Sequence, residues 1–150
     1  MQPGALQKYL HDHIPLSAAM EVEVLEANEE GVVLKAPLGP NINHRDTVFG
    51  GSASAVAILA AWSLAHLRLR QEGITSRVVI QRNTSDHDLP IHGAFTARSF
   101  IEDPKDWERF LKILHRRGRA RVVVSSVLSS EGETVGRFKG IFVALDGPEE

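Results

Sequence analysis

The chain contains no cysteine, which excludes disulfide bonds, thiolate nucleophiles and cysteine-ligated metal sites. It also lacks a strong excess of charge, since 17 lysines and arginines stand against 19 acidic residues for a formal net charge of −2. This balance gives no electrostatic reason to expect nucleic acid or an anionic membrane as a partner. The length of 150 residues suits one domain with a buried core, so we expect a single domain over residues 1–150.

Long uninterrupted hydrophobic runs and a secretion signal are missing as well. The most apolar segment, residues 53–69, is interrupted by Ser54, Ser63, His66 and Arg68. We expect it to fall short of the roughly 20 apolar residues that a membrane span needs. The first four residues carry neither the basic patch nor the apolar core of a signal peptide. We therefore expect a cytoplasmic protein, with no membrane and no nucleic acid among its partners.

Patterns of apolar residues and turn residues divide the chain into helices and strands. Helices are predicted over residues 5–13, 50–71 and 103–118, strands over 20–27, 32–38, 75–84, 94–101, 119–129 and 135–145, and a frayed tail over 147–150. Hairpin turns between strands make the sheet antiparallel. The helix over residues 50–71 is apolar on almost every side, which is typical of a buried helix. We predict an α+β fold in which one sheet covers one central helix.

A polar loop leads into this central helix through two glycines, Gly50 and Gly51. Glycine lets a ligand come close to the backbone because no Cβ stands in the way. The first N–H groups of a helix have no partner within the helix and lie at the positive end of its dipole. This helix start is therefore predicted to polarise a carbonyl oxygen or to hold an anion.

The pattern resembles the hot-dog fold, in which a curved antiparallel sheet wraps a central helix. The resemblance covers nearly the whole chain and shows at the loop and helix start of residues 43–51, at residues 89–97 and at the last hairpin, residues 119–143. Residues 89–97 are similar to the Pro-x-x-Gly-x-x-x-Ala stretch of acyl-CoA thioesterases. More closely, the chain resembles the thioesterase-like domain that some bacteria carry fused behind an acetyltransferase domain.

The resemblance implies an assembly and a site. The assembly is a homodimer, or a tetramer built from it, whose sheets join edge to edge with two active sites at the interface. Asn43 stands six residues before Phe49-Gly50-Gly51 and takes the place of the residue that orients the thioester or the attacking water. Gly50, with Gly51 beside it, takes the place of the glycine whose N–H binds the thioester carbonyl.

Two departures from the related enzymes concern the chemistry. Phe49 stands where those enzymes have a histidine, and Ile58 stands where they carry the helix carboxylate that acts as base or nucleophile. No acidic residue occurs in the predicted helix before Glu72. Either a carboxylate comes from elsewhere in the chain, or the mechanism does not need one.

Other carboxylates are candidates for the base. Asp46, in the loop before the helix, is the nearest, although an aspartate there is also typical of a cap or a turn. Asp86, which the partner subunit would supply, is a second candidate with a turn residue as the alternative. His44 is a base candidate near neutral pH or a loop histidine bonded to the backbone, and Asn43 is also typical of an Asx-turn.

Further polar residues are predicted to bind the substrate. They are Asn41, His44, Thr47, Phe49 and Ser52 at the helix start, and Arg82, Asn83 and Ser85 on the following strand. The arginines are also candidates for holding the phosphates of coenzyme A or the acidic face of acyl carrier protein: Arg82, Arg98, Arg116, Arg117, Arg119 and Arg121. Solvated strand edges and helix ends are the structural alternative for each of them. No metal site is predicted, because no recognised ligand spacing is present.

We predict from these features an acyl thioester hydrolase that acts on acyl-CoA or on acyl carrier protein by attack of water. Coenzyme A or phosphopantetheine enters as part of the substrate, so no separate cofactor is predicted, and the resemblance implies a role in fatty acid metabolism. An acyl-thioester-binding module without turnover is one alternative, because Ile58 occupies the base position. A hot-dog dehydratase or hydratase, with His44 and Asp46 as its histidine–acid pair, is another.

Overall fold

A computed structural model of the chain describes residues 1–146, and the predicted tail at 147–150 lies outside the described residues. Across the described range, helices and strands follow one another as α1 (Pro3–His13), α2 (Pro15–Ala19), β1 (Glu23–Asn28), β2 (Gly31–Ala36), α3 (Gly50–Gln71), β3 (Ser76–His87), β4 (Phe95–Phe100), α4 (Pro104–Arg117), β5 (Arg119–Ser130) and β6 (Glu133–Asp146). A single 3-10 turn, Gly39–Asn41, lies between β2 and α3.

The six strands form one antiparallel sheet in the order β1-β2-β4-β5-β6-β3. Helix α3 packs against one face of this sheet and contacts every strand. We call this face the inner face and the opposite one the outer face. Strand β4 alternates between the two faces, since Phe95, Ala97 and Ser99 are buried while Arg98 is exposed. One sheet wrapped around one helix is the hot-dog architecture, so the fold prediction is confirmed.

The small residues of α3 allow the sheet to approach it closely. Ala57, Ala60 and Ala61 have no exposed surface, and the Ser126 hydroxyl on β5 donates a 2.8 Å hydrogen bond to the Ala57 carbonyl. By length and mean hydropathy α3 is able to cross a membrane, contrary to our sequence expectation. However, 67% of its most apolar window is buried inside the fold, as in the core helix of a folded domain.

Several element boundaries differ from the sequence predictions by one to three residues. Helix α1 ends at His13 as predicted, and a short helix that was not predicted, α2, begins at Pro15, because proline suits the first position of a helix, whose N–H needs no partner. Strand β3 runs to His87, three residues beyond the predicted end, because residues 85–87 continue to pair with β6. The extension of β3 has consequences for the site.

Candidate active site

The first turn of α3 leaves backbone donors unpaired. Phe49 is the N-cap residue, and its side chain makes no capping hydrogen bond. The N–H groups of Ser52 and Ala53 donate to the Phe49 carbonyl at 2.9 and 3.1 Å, whereas no acceptor among residues 1–146 bonds the N–H of Gly50 or Gly51. The first turn contains no acidic residue. The helix start therefore offers two exposed donors with uncompensated positive potential.

Neighbouring segments fix the position of this helix start. The Phe49 N–H donates to the Asn41 carbonyl at 2.8 Å, and the Val48 N–H donates to the Ile91 carbonyl at 2.9 Å. Val48 also forms an isolated antiparallel bridge with Ile42. The segment after β3 is thereby tied to the loop before α3. This connection brings the C-terminal end of β3 to the glycines.

The Asn43 side chain is fully engaged within the loop. Its Oδ1 accepts the N–H groups of Arg45 and Thr47 at 2.8 and 3.2 Å. Its Nδ2 donates to the Thr47 hydroxyl at 2.9 Å and to the Val48 carbonyl at 3.4 Å. This is the Asx-turn arrangement that was the structural alternative for Asn43. In this conformation the amide holds the loop and has no donor or acceptor left for a substrate.

The two other loop candidates extend into solvent. Asp46 is exposed and has a φ of 62°, a left-handed conformation that aspartate tolerates better than most residues. His44 is exposed as well, and no hydrogen bond to another described residue involves either side chain. The histidine–acid pair of a dehydratase is therefore not formed between His44 and Asp46 within this chain.

The remaining helix-start candidates divide into buried and accessible residues. Asn41 is 1% exposed, and its Nδ2 donates to the carbonyls of Met20 and Pro37 at 3.0 and 2.8 Å. It is enclosed by the fold and does not reach a ligand. Thr47 and Ser52 are half-buried. Phe49 is 58% exposed, and its ring lies over Gly51, where a Cβ would clash with it.

Strand β3 presents its candidates on two opposite faces. The register shifts between Ile80 and Arg82, and beyond that bulge Arg82, Thr84 and Asp86 pair with outward-facing residues of β6. Asp86 lies 3.9 Å from the Arg137 guanidinium, which also contacts Asp88 at 3.3 Å. The Asp88 hydrogen bond and the two negative charges raise the pKa of Arg137. Asp86 is therefore an outer-face ion-pair residue, and this chain does not bring it to the start of α3.

The inner face of β3 carries the side chains that do approach α3. Asn83, Ser85 and His87 pair with Gly140, Phe138 and Gly136, and the Phe138 side chain belongs to the buried core. The Ser85 hydroxyl is buried and makes no hydrogen bond with any described residue. His87 lies beside Gly50, and its Nε2 is 3.3 Å from the Ser54 hydroxyl in the second turn of α3.

Our sequence interpretation did not assign a role to His87 or Ser54. Their signals are weak individually. Ser54 follows Gly50 by four residues and so lies on the same face of the helix. To place His87 from the sequence, β3 has to be extended beyond the end of its apolar pattern. The bulge also has to be known, because it decides which face of the strand His87 occupies. The pair is visible only when both elements are in place.

The candidate phosphate-binding arginines lie away from the glycines. Arg82 and Arg121 line a shallow cleft with Gln81 and Ile141, and Arg117, Arg119 and Arg121 line a neighbouring one. The ion pairs within residues 1–146 involve none of these arginines, whereas Arg98 pairs with Glu26 at 3.6 Å. These clefts form a basic region near one edge of the outer face.

The helix itself supplies no acid for catalysis. Ile58 is half-buried, and α3 contains no aspartate or glutamate. No group of three or more histidine, aspartate or glutamate side chains within residues 1–146 is arranged to hold a metal ion. The chemistry available at the helix start within this chain consists of backbone N–H donors, a hydroxyl and an imidazole.

Comparisons with known proteins show the family and the fold of the chain. A model of the protein family described as "Putative thioesterase (yiiD_Cterm)" matches residues 4–146. A protein of unknown function from Chlorobaculum tepidum TLS is 26% identical with a TM-score of 0.90, covering 97% of this chain and 94% of that one. A "putative thioesterase" from Shewanella oneidensis is 24% identical with a TM-score of 0.84, covering 95% and 96%.

A third solved structure, a "probable thioesterase" from Pseudomonas aeruginosa, is 18% identical with a TM-score of 0.82 and covers 97% of both chains. At this level of identity the structural likeness shows the hot-dog fold. The family match extends over almost every residue described. The chain therefore belongs to the YiiD_C thioesterase family of hot-dog proteins.

Proposed function

We propose that this protein hydrolyses acyl thioesters at the start of α3, with coenzyme A or the phosphopantetheine of acyl carrier protein as the thiol. One observation carries the proposal, namely the uncapped helix start at which the Gly50 and Gly51 N–H groups have no acceptor among residues 1–146. An uncapped helix start costs stability, since a capping side chain contributes about 1 kcal/mol. Because the chain belongs to a thioesterase family, we assign these free donors to the carbonyl oxygen of a thioester.

The proposed reaction uses these donors as an oxyanion hole. The thioester carbonyl oxygen accepts hydrogen bonds from the two glycine N–H groups, so negative charge that develops on that oxygen is stabilised. A water molecule that has lost a proton to a base attacks the carbonyl carbon. The tetrahedral intermediate then expels the thiolate and leaves the carboxylic acid. Donors of this kind typically contribute about 100-fold to 1,000-fold each to the rate.

The loop before α3 positions this site in the proposal. Asn43 closes the turn from residue 43 to residue 48, and the hydrogen bond from the Phe49 N–H to Asn41 then orients Gly50. The amide of Asn43 would have to leave its loop partners to contact a thioester. We therefore assign Asn43 the role of holding the loop, and Asn41 the same role from the buried side.

The proposal includes a homodimer formed along β3. This twelve-residue strand is an edge of the sheet, so alternate residues along it present backbone N–H and C=O groups that no strand within residues 1–146 pairs. Val79 on this strand is 51% exposed. Long unprotected edges are templates for pairing with another chain. Sedimentation equilibrium tests the dimer, for which the particle mass is twice that of one chain.

The basic clefts of the outer face enter the proposal as attraction for an anionic carrier. Arg82, Arg117, Arg119 and Arg121 lie together with no ion-pair partner in the described range. A concentration of positive charge raises the association rate of an anion, and added salt weakens that effect. Coenzyme A phosphates and acyl carrier protein are both anionic, so the charge of the clefts does not distinguish them. Thiol release measured with each carrier does.

A second candidate function, acyl-thioester binding without turnover, is favoured by one observation. The helix position that carries a carboxylate in related enzymes is Ile58, and α3 has no acid to replace it. A helix start that polarises a carbonyl without activating water would bind a thioester and release it unchanged. Calorimetric binding without release of free thiol would support this candidate.

The test measures thiol release from short, long and aryl acyl groups, each presented on coenzyme A and on acyl carrier protein. The diagnostic variant is Gly50→Pro. Proline removes the Gly50 N–H but suits the first helical position, and the Phe49 backbone at φ −59° and ψ 130° suits a residue that precedes proline.

Gly50→Pro is expected to lower kcat about 100-fold. Gly50→Ala keeps the N–H, and its Cβ fits at 3.9 Å from the nearest His87 atom, so it is expected to lose less. Full turnover in Gly50→Pro would show that this N–H does not polarise the carbonyl. If the wild-type protein binds some thioesters but hydrolyses none of them, the binding function is the better conclusion.

A further inference from the structure

His87 is the titratable side chain that the fold brings to the glycines at the start of α3. Its Cε1, the ring carbon bonded to both nitrogens, is 3.9 Å from the position that a Cβ on Gly50 would occupy. The ring stands on the inner face of β3, beyond the bulge between Ile80 and Arg82. An acyl group bound to the Gly50 N–H would therefore lie against the imidazole edge that carries its nitrogens.

The two ring nitrogens have different surroundings. Nε2 lies 3.3 Å from the Ser54 hydroxyl, while Nδ1 has no hydrogen-bond partner among residues 1–146. If Nε2–H donates to the Ser54 oxygen, Nδ1 keeps its lone pair and accepts a proton from water. His87 is exposed within this chain, so water reaches the ring.

The carboxylates that the sequence suggested are less well placed. Asp86 pairs with Arg137 on the outer face of the sheet, and α3 contains no acid. Asp46 is exposed in a left-handed turn and makes no hydrogen bond to another described residue. No contact holds Asp46 against the glycines. The imidazole, by contrast, is next to them.

We propose that His87 is the general base of the thioester hydrolysis described above, on which this inference rests. His87 removes a proton from water as the water oxygen bonds to the thioester carbonyl carbon, and the carbonyl electron pair moves to the oxygen held by the glycine N–H groups. The carbon–sulfur bond then breaks as the carbonyl re-forms. The leaving sulfur takes the proton back from the imidazolium, which yields the carboxylic acid and the free thiol and restores neutral His87.

Ser54 acts as the positioning residue of this arrangement. In the proposal its oxygen accepts the Nε2–H, so the contact holds the rotation of the ring and leaves Nδ1 as the proton acceptor. Its hydroxyl is one turn beyond Gly50 on the same side of α3, so it contacts the imidazole and not the carbonyl carbon. This role requires only a hydroxyl at position 54.

The experiment compares variants of the full chain on the best thioester substrate found for the wild type. His87→Gln retains the size and hydrogen bonding of the side chain but does not act as a base, and it is expected to lower kcat/KM about 100-fold or more. His115→Gln, at an exposed histidine near the end of α4, is the matched control. Asp46→Asn and Asp86→Asn test the two carboxylates and are expected to change kcat/KM less than threefold.

Chemical rescue separates catalysis from structure. His87→Ala is expected to regain activity as the imidazole concentration is raised, because free imidazole replaces the missing base at an exposed position. Ser54→Ala is expected to lower kcat about tenfold without changing KM, roughly the effect of one hydrogen bond. Ser54→Thr, which restores the hydroxyl, is expected to recover most of that loss.

Three results would overturn the assignment of His87. The first is full activity in His87→Gln, and the second is a loss in Asp46→Asn or Asp86→Asn equal to that in His87→Gln. The third is an acyl adduct on Ser54 in a single turnover, which would make Ser54 the nucleophile. Each of these leaves thioester hydrolysis intact, whereas a wild-type protein that turns over no thioester overturns the proposed function and this assignment together.

Discussion

The two ends of α3 are treated differently by the rest of the fold. At the C-terminal end, the N–H groups of Glu72, Gly73 and Ile74 donate to the last carbonyls of the helix, and Gly73 takes the left-handed conformation that closes it. Arg68 donates to the Glu29 carbonyl at 3.3 Å and stands 4.7 Å from the Trp107 ring centre. The backbone groups that end the helix are therefore paired, and the Arg68 side chain packs on an aromatic ring.

At the N-terminal end of α3 the fold leaves comparable groups open. Phe49 caps the helix without a hydrogen bond and is 58% exposed, and the two glycine N–H groups after it bond no described residue. Natural helices usually satisfy such donors with a serine, threonine, aspartate or asparagine. A start that forgoes this stabilisation beside an imidazole is typical of a binding or catalytic site. The C-terminal end of the helix thus contributes its hydrogen bonds to stability, whereas the N-terminal end keeps donors free for the proposed function.

The largest effect is expected from a core truncation toward the satisfied end. Leu64 has no exposed surface, so Leu64→Ala removes buried methyl groups and leaves a cavity. The free energy of unfolding should fall by about 3 kcal/mol, within the range for such substitutions. Chemical denaturation measures it. Thiol release by the fraction that stays folded should be unchanged. A loss of kcat in the folded protein would contradict the view that this end of α3 contributes to stability alone.

The loop that positions the helix start should show the next largest effect. Asn43→Ala removes an acceptor of two backbone N–H groups and a donor to the Thr47 hydroxyl. We expect a loss of about 2 kcal/mol of stability, since unsatisfied groups in a partly buried turn are costly. Asn43→Asp keeps both acceptors and should lose less. A drop in kcat with unchanged stability would indicate instead that Asn43 contacts the substrate.

A capping residue placed at the N-terminal end of α3 should raise the stability of the protein and lower its activity. Phe49→Asp supplies a carboxylate that accepts the free Gly51 N–H, and it should raise the free energy of unfolding by about 1 kcal/mol. The same carboxylate would occupy the oxyanion hole, so thiol release should fall at least tenfold. Phe49→Leu, which adds no acceptor, is the control. Increased stability without loss of turnover would show that the free N–H groups take no part in catalysis.

The smallest effect is expected from a single contact at the closed end. Burial lowers the pKa of Arg68, although the guanidinium still stacks on Trp107 and donates to Glu29. Arg68→Met keeps the length of the side chain and should cost about 1 kcal/mol of stability or less. Turnover should not change. A substantial loss of turnover would show that the two ends are coupled.

The sequence predicted the parts of this structure that depend on local signals. The bounds of α3 as residues 50–71, the alternation along β4, and the caps of α4 at Asp103 and Gly118 each follow from nearby residues. The two glycines at the helix start were also identifiable, because glycine is the residue that leaves backbone donors accessible. Antiparallel pairing followed from the hairpin turns, whereas the hot-dog architecture was what the resemblance implied.

The tertiary structure alone decided which polar residues meet at the glycines. Val78 is buried on the inner face, and strict alternation from it would turn Asp86 inward and His87 outward. The irregularity between Ile80 and Arg82 adds one residue, and a one-residue shift reverses the face of every side chain that follows. It therefore places His87 beside Gly50 and Asp86 beside Arg137. The sequence by itself determined the helix and its donors, whereas the register of β3 against β6 is a long-range pairing that no local pattern encodes.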